Sequence, residues 1–110
     1  MNVHVTSRHF KAHQQLVDYA EQAVNALLHF YDGIIKCDVV LSFEKTRKST
    51  KIAEVVVSVA RHRLAAVGQS DDFFKSIDGA VVKMQHQLQK HKERLRMKDR
   101  KVVRRVREKV

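Results

Sequence analysis

The sequence predicts a two-layer α+β domain in which a four-stranded sheet carries two helices on one face. Three observations support this fold class: strand-like alternation of apolar residues, two stretches with apolar residues at helical spacing, and a β-α-β-β-β-α order along the chain. The 110 residues suit one domain with a single core. The first β-α-β unit should be a right-handed crossover, which makes strands 1 and 2 parallel.

The first half of the chain is predicted to form two strands separated by a helix. Val3 and Val5 alternate with polar residues, as in a short strand. Apolar residues form one helical stripe from about His13 to Phe30, and Gly33 would suit a left-handed helix stop. A second strand with one buried face is predicted from the alternating residues Ile35, Cys37, Val39, Leu41 and Phe43.

The second half is predicted to form two strands and a long helix. The third strand spans Ala53–Val59, the turn Arg61–Arg63 lacks the usual glycine or asparagine, and Leu64–Val67 forms a short fourth strand. Ser70 is the predicted N-cap of helix 2, with Asp71 and Asp72 in its first turn. The apolar stripe of helix 2 comprises Phe74, Ile77, Val81, Met84, Leu88 and Leu95, with His91 at the same spacing.

Nearly all of the net charge lies at the C-terminal end. Residues 83–110 contain 12 Lys/Arg and three acidic residues, and so carry +9 of the net +10. Seven like-charge pairs spaced i,i+4 oppose a helix there by roughly 1.5–3.5 kcal/mol in sum. A polyanion would turn this repulsion into attraction as its phosphates are neutralised. The pattern predicts nucleic-acid binding, with residues beyond about Met97 frayed until they are bound.

Other functional classes receive little support from the sequence. Cys37 is the single cysteine and cannot form an internal disulfide, which favours the reducing cytoplasm. The N-terminus shows no signal-peptide layout, and no apolar run has the length of a membrane span. Beyond Leu95 and Met97 the tail has no Trp and no large aliphatic residue, so a membrane-surface anchor is disfavoured. We therefore expect a cytoplasmic protein with no membrane partner.

The residues that could carry catalysis or bind a metal are scattered. His9 and His13 are four residues apart without an intervening Glu, and His86 and His91 fall on different helix faces. Asp78 has no second carboxylate or nucleophile within reach in sequence and is expected to make a structural contact. We expect no metal site, no cofactor, no small-molecule substrate and no catalysis.

A family resemblance emerges at helix 2. Its opening, Asp72-Phe73-Phe74-Lys75-Ser76-Ile77-Asp78, leads into Lys83-Met84, Gln87-Leu88 and spaced basic residues. Leu16 and Tyr19, Leu27 and Phe30, and the opening segment Val3–His9 fit the same pattern. Over residues 1–96 the chain resembles the ribosome hibernation promoting factor family, also described as stationary-phase ribosome-associated inhibitors of translation. The layout is also similar to that of a double-stranded-RNA-binding domain with an added first strand.

The resemblance implies a non-enzymatic factor that silences idle ribosomes. Such a factor would sit in the mRNA and tRNA channel of the small ribosomal subunit, contact rRNA with both helices and act by steric occlusion. Other hibernation factors are further candidate partners. Residues 1–96 would be the ribosome-binding domain and 97–110 a basic helical extension, as in a short form without the C-terminal domain that pairs ribosomes. Gln69 and the basic tail depart from the pattern, and the tail leaves open whether pairing is promoted or blocked.

The resemblance also implies where rRNA phosphates would be bound. On helix 2 the candidates are Lys83, Lys90, Lys92 and Arg94, with Lys75 nearer its start. Before helix 1 they are Arg8, His9 and Lys11, and the hairpin turn after strand 2 adds Lys45, Arg47, Lys48 and Lys51. The alternative functions are a general double-stranded-RNA-binding or ribosome-assembly protein and, more remotely, a small enzyme acting on an anionic substrate.

Overall fold

The computed structural model describes residues 2–44 and 50–108, with side chains as far as residue 95. Its elements are β1 (Asn2–Ser7), α1 (Gln14–Phe30), β2 (Ile34–Phe43), β3 (Lys51–Val59), β4 (His62–Ser70) and α2 (Phe73–Glu108). The four strands form a single sheet in the order β1-β2-β3-β4. β1 pairs with β2 in parallel, and the other neighbours are antiparallel. The predicted two-layer α+β fold and its parallel first pair are confirmed.

The core lies between one face of the sheet and the two helices. α1 buries Leu16, Ala20, Val24 and Leu27, and α2 buries Ile77, Ala80, Val81, Met84 and Leu88. These residues form one cluster with the inward-facing strand residues Cys37, Val39, Leu41, Val55 and Val57. The opposite face of the sheet carries polar residues such as Asp38, Glu54 and Ser58. Both helices are therefore held on the same side, as the apolar stripes predict.

The beginning of α2 differs from the prediction that Ser70 is its N-cap. Ser70 is the last residue of β4, and α2 begins at Phe73. The carboxylate of Asp72 accepts the backbone N–H of Phe74 at 2.9 Å, which is the bond a capping residue makes. Asp71 and Asp72 consequently precede the helix and do not lie in its first turn. The hydroxyl of Ser70 accepts the Asp72 N–H at 3.1 Å, so it shapes the connection to the helix.

The start of β2 contains an irregularity that the alternation pattern did not reveal. The pairing register with β3 shifts between Ile34 and Lys36. Ile34 is therefore buried, whereas the side chain of Ile35 is 61% exposed. The prediction for Gly33 is also wrong, because no described glycine has a positive φ. A Cβ on Gly33 would lie 2.6 Å from the Tyr31 ring, so the glycine leaves room for that ring.

Two apolar residues predicted on the buried stripe of α2 lie at its margins. Phe74 is 40% exposed and packs edge-on against Tyr19, with ring centroids 5.0 Å apart. Leu95 is 42% exposed, because it lies beyond the point where His91 meets the start of β4. The buried stripe therefore ends at Leu88. Among the described helices, none is long and apolar enough to cross a membrane.

Candidate nucleic-acid interface

The loop between β1 and α1 is fastened beside the start of α2. The Phe10 ring stacks on Phe73 with centroids 5.0 Å apart and meets Phe43 edge-on at 5.7 Å. The backbone N–H of Arg8 donates to the Leu41 carbonyl at 2.9 Å. These contacts fix the loop while Arg8, His9 and Lys11 remain exposed to solvent. We call these three residues the loop patch.

Lys75 and Lys51 lie at the same end of the molecule, where acidic groups accompany them. The ammonium of Lys75 is 3.7 Å from a carboxylate oxygen of Asp71. The Lys51 ammonium donates to the Asp71 carbonyl at 3.2 Å and lies 6.0 Å from the centre of the Phe73 ring. This end therefore presents a mixed charge. The other predicted turn residues, Lys45, Arg47 and Lys48, lie outside the described residues.

Lys83 makes a structural contact in the first third of α2. Its ammonium donates to the Val67 carbonyl at 2.8 Å, and the Gln87 amide one turn later donates to the Ala65 carbonyl at 2.7 Å. Both acceptors belong to β4, the edge strand of the sheet. The two side chains thus cover a sheet edge that would otherwise present unpaired carbonyls. The Lys83 ammonium is exposed and has further N–H donors for a phosphate.

Lys90, Lys92 and Arg94 lie at the far end of the described side chains of α2. At 1.5 Å per residue, Lys90 is about 22 Å along the axis from Lys75. Lys90 and Arg94 are exposed, and within the part of the chain whose side chains are described neither has an ion-pair partner. The candidate residues therefore separate into two ends of the domain, with Lys83 between them.

Helix α1 contributes no cation to either end. It contains no Lys or Arg, and its exposed surface includes Asp18 and Glu21. Its polar link to α2 is the Tyr19 hydroxyl, which donates to a carboxylate oxygen of Asp78 at 2.6 Å. This hydrogen bond raises the pKa of Tyr19. Asp78 thus makes a structural contact, although its partner is Tyr19 of α1 and not the expected Lys75 or Lys83. Phosphate contacts on the α1 side would have to come from the loop patch.

Sequence reasoning missed a group of basic residues beside the part of α2 that contains Lys90 and His91. Arg61 lies in the turn between β3 and β4, whereas His62 and Arg63, predicted in that turn, are the first residues of β4, and all three are exposed. The His62 ring lies 5.4 Å from the His91 ring, which in turn lies 5.7 Å from the Tyr31 ring. The available signal was a hairpin turn that carries two arginines where glycine or asparagine is preferred. Among the described residues, no group of three or more His, Cys, Asp or Glu could hold a metal ion.

Known proteins similar to this chain agree with the fold and the family resemblance. The ribosome hibernation promoting factor of Klebsiella oxytoca is 28% identical over 96 residues, which cover 87% of this chain and 98% of that protein. A ribosomal subunit interface protein from Coxiella burnetii superposes with a TM-score of 0.77 at 22% identity, and the match covers 84% of this chain and 99% of that protein's chain. The Thermus thermophilus Protein Y N-terminal domain superposes with a TM-score of 0.72 at 24% identity, and the match covers 83% of this chain and 99% of that domain. These two structures support the fold.

The sequence profile of one family matches most of the chain. The match spans residues 3–96, which include all four strands except Asn2 and the part of α2 that packs on the sheet. Ribosome hibernation promoting factors are non-enzymatic ribosome-binding proteins, in agreement with our prediction of a chain without catalysis. The chain therefore belongs to the sigma 54 modulation protein / S30EA ribosomal protein family, and the resemblance to ribosome hibernation promoting factors is confirmed.

Proposed function

We propose that this chain binds the small ribosomal subunit in the channel for mRNA and tRNA and silences translation on idle ribosomes. Family membership supports association with the ribosome. The choice of the small subunit, the phosphate contacts to rRNA and the steric mechanism are our proposal. The observation that carries it is that Lys90 and Arg94 of α2 are exposed and have no ion-pair partner within the part of the chain whose side chains are described.

The geometry of α2 suits a polyanionic cleft. Ring contact between His91 and His62 marks where the helix passes the start of β4. Residues 92–108 continue as helix and, at 1.5 Å per residue, extend about 25 Å further. That segment contains nine Lys/Arg and three acidic residues. A helix of this charge gains free energy between rRNA strands, because each phosphate that it neutralises releases counterions.

The proposed mechanism is occlusion with little reading of base sequence. An RNA-binding sheet that reads bases needs exposed aromatic residues on its strands. Phe43, the one strand aromatic, is partly buried and packs on Phe10. Binding would therefore rest on shape and on phosphate contacts. While bound, the folded domain would fill space that mRNA and tRNA need, so translation would stop without a chemical step.

Co-sedimentation with purified ribosomal subunits tests this function. We expect the wild-type protein to pellet with the small subunit at moderate salt and to be displaced by mRNA with initiator tRNA. The double variant Lys90→Gln/Arg94→Gln should bind about tenfold more weakly, because two phosphate contacts are lost. The control Gln22→Glu/Asn25→Asp changes the net charge equally on the exposed face of α1 and should bind like the wild type.

Two results would contradict the proposal. Equal pelleting with both subunits and displacement by bulk RNA would favour the alternative function, a general double-stranded-RNA-binding or ribosome-assembly protein. Equal loss of binding in the α1 control would show that net charge, and not Lys90 and Arg94 in particular, determines the affinity.

A further inference from the structure

We propose that Arg61, in the turn between β3 and β4, and Arg63, at the start of β4, form a second phosphate-binding surface for rRNA together with Lys90 and Arg94 of α2. We call these four residues the turn patch. The inference rests on the proposed function and deepens it, because it assigns a contact to a part of the sheet as well as to the helices.

The turn is positioned against α2 by aromatic contacts. The His62 ring lies 5.4 Å from the His91 ring. His62 is followed in sequence by Arg63, and His91 is preceded by Lys90. The His91 ring also contacts the Tyr31 ring, with centroids 5.7 Å apart. Tyr31 follows the last residue of α1, so the end of that helix supports the same arrangement. The basic residues of the strand turn and of the helix therefore lie at one end of the molecule.

The backbone of the turn holds an arginine in a conformation that carries an energetic cost. Arg61 has φ 67°, in the left-handed region that glycine and asparagine adopt most readily. Among the described non-glycine residues, the other one with positive φ is His9, at 66°, in the loop patch. Both strained positions thus carry a basic side chain next to further cations. Strain of this kind is typically retained at functional sites.

The charges of the turn patch are uncompensated. None of its four side chains has an ion-pair partner within the part of the chain whose side chains are described, and all are exposed. Along the open face of the sheet, Arg63 shares a register row with Lys36, which does have a partner: its ammonium lies 3.6 Å from Asp38. Arg63 therefore lies on the open face and Lys90 and Arg94 on the helix side, so the turn patch would bind phosphates around the edge of the sheet at β4. Arginine makes bidentate contacts with phosphate. The RNA backbone is therefore the occupant that we infer.

The test measures the affinity of the full chain for purified small ribosomal subunits as a function of salt. In the double variant Arg61→Asn/Arg63→Gln, asparagine tolerates the left-handed backbone, so the change removes charge and preserves the turn. We expect a dissociation constant about tenfold higher and a slope of log K against log salt that is smaller by about 1–2. The thermal midpoint should not fall. Lys36→Gln, a single charge removal on the same sheet row, should leave affinity and slope within error of wild type.

The outcomes separate this inference from the function on which it rests. If the wild type binds small subunits and the double variant matches it in affinity and slope, the turn patch is wrong and the proposed function stands. A loss of affinity with an unchanged slope would also contradict the turn patch, because lost phosphate contacts must lower the slope. If the wild type does not bind small subunits, the proposed function itself fails.

Discussion

Cys37 shows how burial controls the chemistry of one residue in this fold. Its side chain is 1% exposed on the helix-facing side of β2. Burial disfavours the thiolate and, with a further contribution from the Asp38 charge, raises the pKa of Cys37 to about 11. Because the thiolate is the reactive form, the folded protein should resist thiol reagents at neutral pH. The alternation along the second strand predicts the inward position of Cys37, and with it a thiol of low reactivity.

The raised pKa of Cys37 predicts a loss of stability at alkaline pH. The thiol is protonated in both states at low pH, whereas above about pH 9 it ionises first in the unfolded chain. Its stabilising contribution is therefore present below pH 9 and is lost as the pH rises through about 11. Between pH 8 and 11 the wild type should lose about 2 kcal/mol more unfolding free energy than Cys37→Ala. Urea titrations of both proteins across this range measure the difference, and parallel curves would contradict it.

Lys83 and Lys90 show what sequence alone could not resolve at the site. They are seven residues apart and share a helix face, so their spacing predicts the same phosphate-binding role for both. In the structure Lys83 donates to the Val67 carbonyl on the edge of β4, whereas Lys90 extends past that strand with no ion-pair partner among the described side chains. The difference depends on where the sheet edge lies relative to the helix, which is a tertiary property.

At the scale of elements, α2 and β4 approach each other at Gly68. A Cβ built on Gly68 would lie 2.0 Å from the Ser76 carbonyl oxygen and 2.8 Å from the Ala80 nitrogen. Both are backbone atoms and cannot move aside without displacing the helix. This close approach also places the next turns of α2 where Lys83 and Gln87 reach the carbonyls of β4. The packing at one glycine therefore sets the position of the basic helix on the sheet.

A pair of glycine substitutions tests this contact. Gly68→Ala should lower the unfolding free energy by about 3 kcal/mol or more, because the added methyl group forces α2 away from the sheet. The matched variant Gly79→Ala places a Cβ 3.9 Å from the Gly68 Cα, an ordinary contact, on the helix side of the same interface. It should be stabilised by about 0.5–1 kcal/mol through helix propensity. Chemical denaturation measures both changes, and similar stabilities for the two variants would refute the close approach.

The elements could be predicted from periodicity, but their ends could not. Strands β1 to β3, both helices and the parallel first pair follow from the spacing of apolar residues. β4 runs from His62 to Ser70, longer than the predicted Leu64–Val67, because the polar residues at its ends pair with β3 without burying apolar surface. The exposure of Ile35 depends on a register shift that alternation does not encode. These boundaries are decided by pairing partners distant in sequence.

At the scale of the whole molecule, the basic residues are distributed unevenly around a compact sheet-and-helix body. α1 has no Lys or Arg, and the end near the loop patch includes Asp71 and Asp72. The turn patch carries cations that have no ion-pair partner among the described side chains. The sequence located the charge on α2. It could not show that the turn between β3 and β4 lies beside that helix, because the two segments meet only through the fold.

The most direct measurement of the central claim is site-directed hydroxyl-radical cleavage of rRNA. His86→Cys places a thiol on the exposed face of α2 between Lys83 and Lys90, and the buried Cys37 should stay unlabelled. With an iron chelate on that thiol, we predict cuts in small-subunit rRNA that line the mRNA and tRNA channel and disappear when mRNA and initiator tRNA are added. Wild type treated identically should give no cuts. Cuts spread over both subunits, or cuts that persist with mRNA and tRNA bound, would contradict channel occupancy.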